Sequence, residues 1–343
     1  FLISSLILIC SIHLFNKKIV SNFYILLISS VIGITLFETF LEFKIQNVFF
    51  KDRNVIYKNP YNFVLNEKDK KDFFPRILPG ALLPSGINNK IFPSSSHSKK
   101  KTIMCEEGSG LITYLSDRYG FNNNDYIWDQ KIQAILVGDS FVHGDCVNRD
   151  DTIVGNLIDS TNLNFLNLGM GGNGPLLKLL SLREFGFITK SKQILWFYFE
   201  GNDFIELEFE KSSKILKKYL NDQKFSQNLH KKTKLIDNHL IAIHNRNLEK
   251  SKFPYSLIPR FRSIIFFKNT RQLISNFLIK KNKNVKFDIN TYEKIIKVAR
   301  DFSSKNGAEF YFIYLPMYER FLDSNINHAN FRKKNLIIST MLN

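Results

Sequence analysis

Ser140 closes an apolar run in AILVGDSFVHGDC (134–146), where four hydrophobic residues end on Gly-Asp-Ser. A serine on the turn leaving a buried strand is exposed, and it becomes a nucleophile once a base takes its proton. Two later stretches supply what such a nucleophile needs. GMGGNGP (169–175) is a glycine loop, whose backbone N–H groups approach a substrate oxygen with no Cβ in the way. EGND (200–203) adds the side-chain amide of Asn202. A hydroxyl with converging N–H donors suits acyl transfer: the oxygen attacks a carbonyl and the donors hold the oxyanion. The neighbours have plainer roles. Asp139 braces its turn, Asp203 caps or tethers its loop, and Gly169, Gly171 and Gly174 serve the loop backbone. Glu200 has no assigned role.

These stretches need a frame that brings them to one place. IQAILV (132–137), NFLNLG (164–169), QILWFYF (193–199) and AEFYFIYLP (308–316) are short apolar runs of the kind that form strands buried on both faces. Helical patterns lie between them. DDTIVGNLIDST (150–161) is expected to be capped by Asp150 or Asp151, PLLKLLSLREFGFITK (175–190) has proline at its first position, and TYEKIIKVARDFSSKNG (291–307) ends on glycine. Alternating strands and helices predict a parallel sheet with helices on both faces. Ligands of such sheets bind outside the carboxyl ends of the strands. GDS, the glycine loop and EGND each follow a strand, so all three are expected on one edge. Between the third strand and the last helix lies a charged insertion, 204–290, of helical pattern. It is longer than a crossover requires, and it reads as a lid, a partner surface or a solvated elaboration.

Three such blocks in this order resemble the SGNH hydrolases, also called the GDSL family. Gly-Asp-Ser matches the first block at Ser140. NLGMGG (167–172) resembles the second, whose oxyanion glycine falls on Gly172. GND matches the third at Asn202. The resemblance covers about 132–316. It implies an α/β fold, a flavodoxin-like three-layer sandwich with five parallel strands, and a serine esterase. Ser140 would be the nucleophile, with Gly172, Asn202 and the Ser140 N–H as the oxyanion donors. Membrane-tethered members of the superfamily often act on acyl groups of cell-surface glycans, so the implied substrate is an acyl ester, O-acetyl or similar, of a polysaccharide. The same site serves a glycan O-acyltransferase, and a fold without its base leaves a basic, inactive binding module.

The family's fourth block, Asp-x-x-His, is not found after the fourth strand. Asp323 and His328 in DSNINH are the nearest approach, five residues apart. His143 follows Ser140 by three residues and lines the site, whereas nucleophile and base normally come from different loops. His13, His97, His230, His239 and His244 have no evident partner. The chain begins on Phe1 and stops in a helical pattern, FRKKNLIISTMLN (331–343), which suggests a fragment at both ends. A fifth strand and the missing histidine are therefore expected beyond Asn343. That strand would also cover the fourth, which is otherwise a long hydrophobic edge.

The N-terminal region reads as a membrane anchor. FLISSLILICSIHLF (1–15) is uncharged but short for a full span, and 21–43 is a second candidate span. Together 1–43 make a hairpin whose short loop carries Lys17 and Lys18. The positive-inside rule puts that loop in the cytoplasm and everything after residue 43 in the periplasm or outside the cell. Residues 44–131 read as linker and extension, with PRILPGALLPSGINNKIFPSSSHSKKK (75–101) as loop. The hydrolase-like domain then runs over 132–343. Cys105 and Cys146 are free to pair in an exported domain, while Cys10 in its apolar run is a small hydrophobe.

The net charge of +17 raises nucleic acid as a partner. The basic residues are scattered, however, and neither zinc-finger spacing nor an RNA-binding aromatic signature accompanies them, so no nucleic-acid partner is expected. Metal-ligand spacing, a phosphate loop and a dinucleotide glycine pattern are also missing, so no cofactor is expected.

Overall fold

In the computed structural model, residues 17–50, 60–66, 72–106, 110–252, 264–271, 273–274, 288–318 and 321 are described. The chain divides into two compact units, one of Phe1–Asn54 with Phe253–Val285, the other of Val55–Lys252 with Lys286–Asn343. In the first unit, helix α1 (Lys17–Phe50) contains a stretch, Lys17–Leu41, long and apolar enough to cross a membrane. At about 1.5 Å per residue, its 25 residues exceed the roughly 30 Å hydrocarbon core. Lys17 and Lys18 lie in the first turn of this helix rather than in a loop. Residues 1–16, the expected first span, are outside the described residues.

The second unit begins with α2 (Pro60–Asn66) and a small sheet of β1 (Phe73–Pro75), β2 (Lys101–Glu106) and β3 (Leu111–Leu115). β1 pairs parallel and β3 antiparallel to β2. This is more order than the sequence of 72–131 suggests, and polar side chains create it. Asp117 is buried and accepts from Asn123 Nδ2, Trp128 Nε1 and the backbone N–H groups of Tyr119 and Phe121. Ser96, also buried, accepts from Ile77 N. Such side-chain-to-backbone bonds replace strand ladders as partners for a buried irregular backbone.

The main sheet holds β4 (Ile132–Val137), β5 (Phe165–Asn167), β6 (Ser191–Phe199) and β7 (Glu309–Leu315) in the order β5-β4-β6-β7, all parallel. Residues alternate between two cores, as the two-residue period of a strand requires. Ile135 and Val137 face one core with Leu166, Ile194 and Trp196, whereas Ala134 and Leu136 face the other with Phe165 and Phe197. Both faces are therefore covered, which is why these strands read as continuous apolar runs.

Among the described residues, seven α-helices follow or flank these strands. α3 (Ser140–His143) is a single turn after β4, and α4 (Ile153–Thr161) packs Val154 on the smaller core. Its N-cap is Thr152, whose hydroxyl accepts from Gly155 N at 3.0 Å; Asp150 and Asp151 lie in the preceding 3-10 turn. α5 (Pro175–Phe185) is buried nearly all round, because the sheet covers one side and α6 (Asp203–Glu210) and α7 (Lys214–Asn221) the other. α8 (Thr233–Lys252) completes the part of the insertion in this unit. α9 (Ile289–Lys305), capped by Asp288, leads into β7.

Candidate active site at the sheet edge

The strand order fixes where the loops go. From β4 the chain crosses to β5 on one side, and from β5 it returns past β4 to β6 on the other. The reversal falls between the carboxyl ends of β4 and β6, the position at which open α/β sheets bind ligands. Ser140 follows β4 by three residues and Asn202 follows β6 by three. Gly172 lies on the loop after β5, beside β4.

The loops are tied to one another. Met170 N donates to Gly138 O at 3.3 Å, which fastens the glycine loop to the turn that carries Ser140. Phe141 and Phe199 pack with ring centroids 4.6 Å apart, linking the turn after β4 to the end of β6. A Cβ at Gly169 would come within 2.5 Å of His143 N, so only glycine permits this approach. Gly172 has φ +70°, in the left-handed region, and open space where a side chain would be. It borders a cavity of about 520 Å³ whose walls include Leu78, Leu83, Pro84, Phe209 and Glu206.

The donors are not spent on the fold. Ser140 N and Gly172 N donate to no backbone carbonyl among the described residues, and the Ser140 hydroxyl has no hydrogen bond among them. Asn202 occupies the N-cap of α6 without capping it, and its Oδ1 is buried without a partner. The adjacent carboxylates, by contrast, are structural. Asp139 caps α3 by accepting from Phe141 N at 3.1 Å. Asp203 accepts from Lys178 Nζ at 2.7 and 2.8 Å and from Tyr292 OH at 3.0 Å, all three side chains being buried. Burial pushes its carboxyl up to about 6, against the pull of Lys178. Glu200 accepts from Tyr314 OH at 2.8 Å and from Met317 N, holding the exit of β7. Glu210, pushed by burial up to about 8, accepts from Leu176 N at the start of α5.

The His143 ring is held by groups other than Ser140. It is buried, its Nδ1 lies 2.5 Å from Asp145 Oδ1 and 3.3 Å from Arg76 Nη1, and its Nε2 lies 3.3 Å from Tyr114 OH. Both ring nitrogens are engaged, and burial depresses its basicity. This agrees with a base coming from a different loop than Ser140. His143 is the centre of a support: Arg76 pairs with Asp145, whose carboxylate packs under Gly171. Other histidines are also placed elsewhere. His97 and His244 pack on Phe74, and His239 bonds Asn88. His13, Asp323 and His328 lie outside the described residues.

Several supporting residues have no mark in a motif. Asn167 at the end of β5 donates to Val142 O and accepts from Gly169 N, joining α3 to the glycine loop. Asn123 braces Asn167 by a reciprocal pair of bonds, and Asn122 donates to His143 O. The one available signal is a polar residue at a strand end buried on both faces, where an unpaired amide is costly. Cys105 and Cys146, left open above, form a disulfide with Cα atoms 5.5 Å apart, fixing β2 to the segment just past Asp145.

No protein-family model matches this chain, and no curated protein does.

Proposed function

We propose that this chain is a membrane-anchored serine ester hydrolase of the SGNH/GDSL type, with its catalytic unit on the periplasmic or outer side of the membrane. The observation that carries the reading is that an unbonded serine hydroxyl, an open glycine turn and an uncommitted asparagine amide follow the carboxyl ends of β4, β5 and β6, while Asp139 and Asp203 beside them bond to the fold. The strand order agrees with a flavodoxin-like sandwich. The Cys105–Cys146 disulfide supports an oxidising compartment.

On this reading Ser140 Oγ attacks the carbonyl carbon of an acyl ester. The oxygen becomes an oxyanion held by the N–H groups of Ser140 and Gly172 and by the Asn202 amide. Collapse of the intermediate expels the alcohol and leaves an acyl-serine, which water then hydrolyses. The serine proton needs an acceptor. Among the described residues no histidine ring nitrogen is hydrogen-bonded to Ser140, so we assign that role to a histidine outside them. The alcohol side is taken to be a cell-surface polysaccharide, with short acyl groups such as acetyl.

One observation favours a second reading. With no base hydrogen-bonded to Ser140 among the described residues, the unit also fits a binding module that lacks catalysis. Turnover separates the two. The full chain should hydrolyse p-nitrophenyl acetate, and Ser140→Ala should abolish this; equal rates for the parent and Ser140→Ala remove the serine from the mechanism.

A further inference from the structure

Glu38 is an acidic residue inside the apolar stretch of α1, and it is shielded from solvent. An ionisable side chain in such a helix is costly unless it is partnered. Its partners come from the insertion. Glu38 accepts from Asn269 N at 2.6 Å, from Thr270 N at 2.8 Å and from Thr270 Oγ1 at 2.6 Å. Glu38 and residues 264–274 belong to the same compact unit.

The height of this contact follows from helix geometry. Glu38 is 21 residues after Lys17, hence roughly 31 Å along the axis of α1, about one hydrocarbon thickness. If Lys17 marks one face of the bilayer, Glu38 marks the other. The segment it holds has the character of that level. Ile265, Phe266, Leu273 and Ile274 are 64, 55, 47 and 55% exposed, and Lys268 and Arg271 are exposed among them. Across 253–285 there are seven lysines and arginines and no aspartate or glutamate. Exposed aromatic and aliphatic side chains interleaved with cations are the composition of segments that lie in a membrane interface.

We propose that residues 264–274 lie in the headgroup region of the membrane that α1 crosses, fastened to α1 by Glu38, with Lys268 and Arg271 paired to anionic lipid. The insertion then serves as a second attachment to the bilayer surface. This rests on reading α1 as a membrane span and is independent of the esterase.

The test uses the full chain reconstituted in vesicles, with Ile265→Trp and Leu273→Trp introduced singly. The native Trp128 and Trp196 are buried in the other unit and give the background. In phosphatidylglycerol vesicles carrying lipid brominated high on the acyl chain, the added fluorescence should be quenched roughly twofold or more, and less by lipid brominated near the chain end. Quenching should weaken in pure phosphatidylcholine and with Lys268→Glu combined with Arg271→Glu, as expected for attraction to an anionic surface. Glu38→Leu should abolish it while the chain still floats with the vesicles. Tryptophans at 265 and 273 quenched no more than the background, in chains that do float, overturn the proposal. The same result with disulfide crosslinking of Ile265→Cys between copies identifies a second copy as the occupant instead. Failure of the chain to float with vesicles refutes the span and the proposal together, and leaves the esterase reading standing.

Discussion

Asn202 and Asp203 are adjacent, yet their removal should have opposite signatures. Truncation normally costs a helix N-cap about 1 kcal/mol, but Asn202 makes no cap bond, so that loss does not apply. Its Oδ1 is already a buried acceptor without a partner, a state that costs about 1–3 kcal/mol. Asn202→Ala should therefore leave the thermal midpoint unchanged or raise it slightly. As an oxyanion donor, the same side chain should be worth about 10²–10³ in kcat, or about 2.7–4 kcal/mol. Asp203→Ala does the reverse. It leaves the fully buried Lys178 ammonium with only Phe197 O, at 3.0 Å. Breaking a buried pair in this way costs about 3–5 kcal/mol. For a unit of this size that is a fall of roughly 6–20 °C in midpoint. The assay is p-nitrophenyl acetate hydrolysis and thermal unfolding on the same preparations of the full chain. An Asn202→Ala protein that is fully active, or one whose midpoint falls as far as that of Asp203→Ala, refutes the assignment of Asn202 as a donor kept for substrate.

Three further outcomes follow from the same contacts. Stability should vary with pH through opposed contributions that overlap between about pH 4 and 6.5, with a net fall as pH rises to 8. His97, pulled by burial to about 4 from 6.5, contributes stability present above 6.5 that is lost as pH falls through 4. Asp203 and Glu210, raised to about 6 and about 8, contribute stability present at low pH that is lost as pH rises through those values. Midpoints measured from pH 4 to 9 should fall more steeply between pH 4 and 6.5 in His97→Gln and less steeply between pH 4.5 and 8 in Glu210→Gln; profiles unaltered by these changes contradict the assignment. Reduction of Cys105–Cys146, which closes 41 residues, should cost about 4 kcal/mol by chain entropy, a drop of roughly 8–16 °C that Cys105→Ser with Cys146→Ser reproduces. Protease added to intact spheroplasts should digest the unit after residue 54, and its protection would reverse the orientation drawn from Lys17 and Lys18.

The readable parts of the sequence are those governed by apolar burial. β4, β5, β6 and β7 lie where their hydrophobic runs place them, and the loops that follow β4, β5 and β6 carry Ser140, Gly172 and Asn202 on one edge. What escaped was built from polar bonds. The 72–131 region looks like linker because its order depends on Asp117, Ser96, Asn122 and Asn123, and their partners are distant in sequence. His143 stands three residues from Ser140, and the sequence does not show that Arg76 and Tyr114 arrive from that same region to enclose it. The start of α4 was misplaced by the acidic pair. Asp150 and Asp151 are good caps by type, but Thr152 holds the cap position and bonds Gly155 N.

The central claim is that Ser140 is a nucleophile, and covalent capture tests it most directly. A fluorophosphonate probe reacts with a serine whose proton is taken by a base and whose developing oxyanion is held by donors. After incubation of the full chain, peptide mass spectrometry should find the phosphonyl adduct on Ser140 alone, and Ser140→Ala should carry none. An unmodified Ser140 peptide under conditions that label a control serine hydrolase to completion would contradict the account and leave the unit as a binding module.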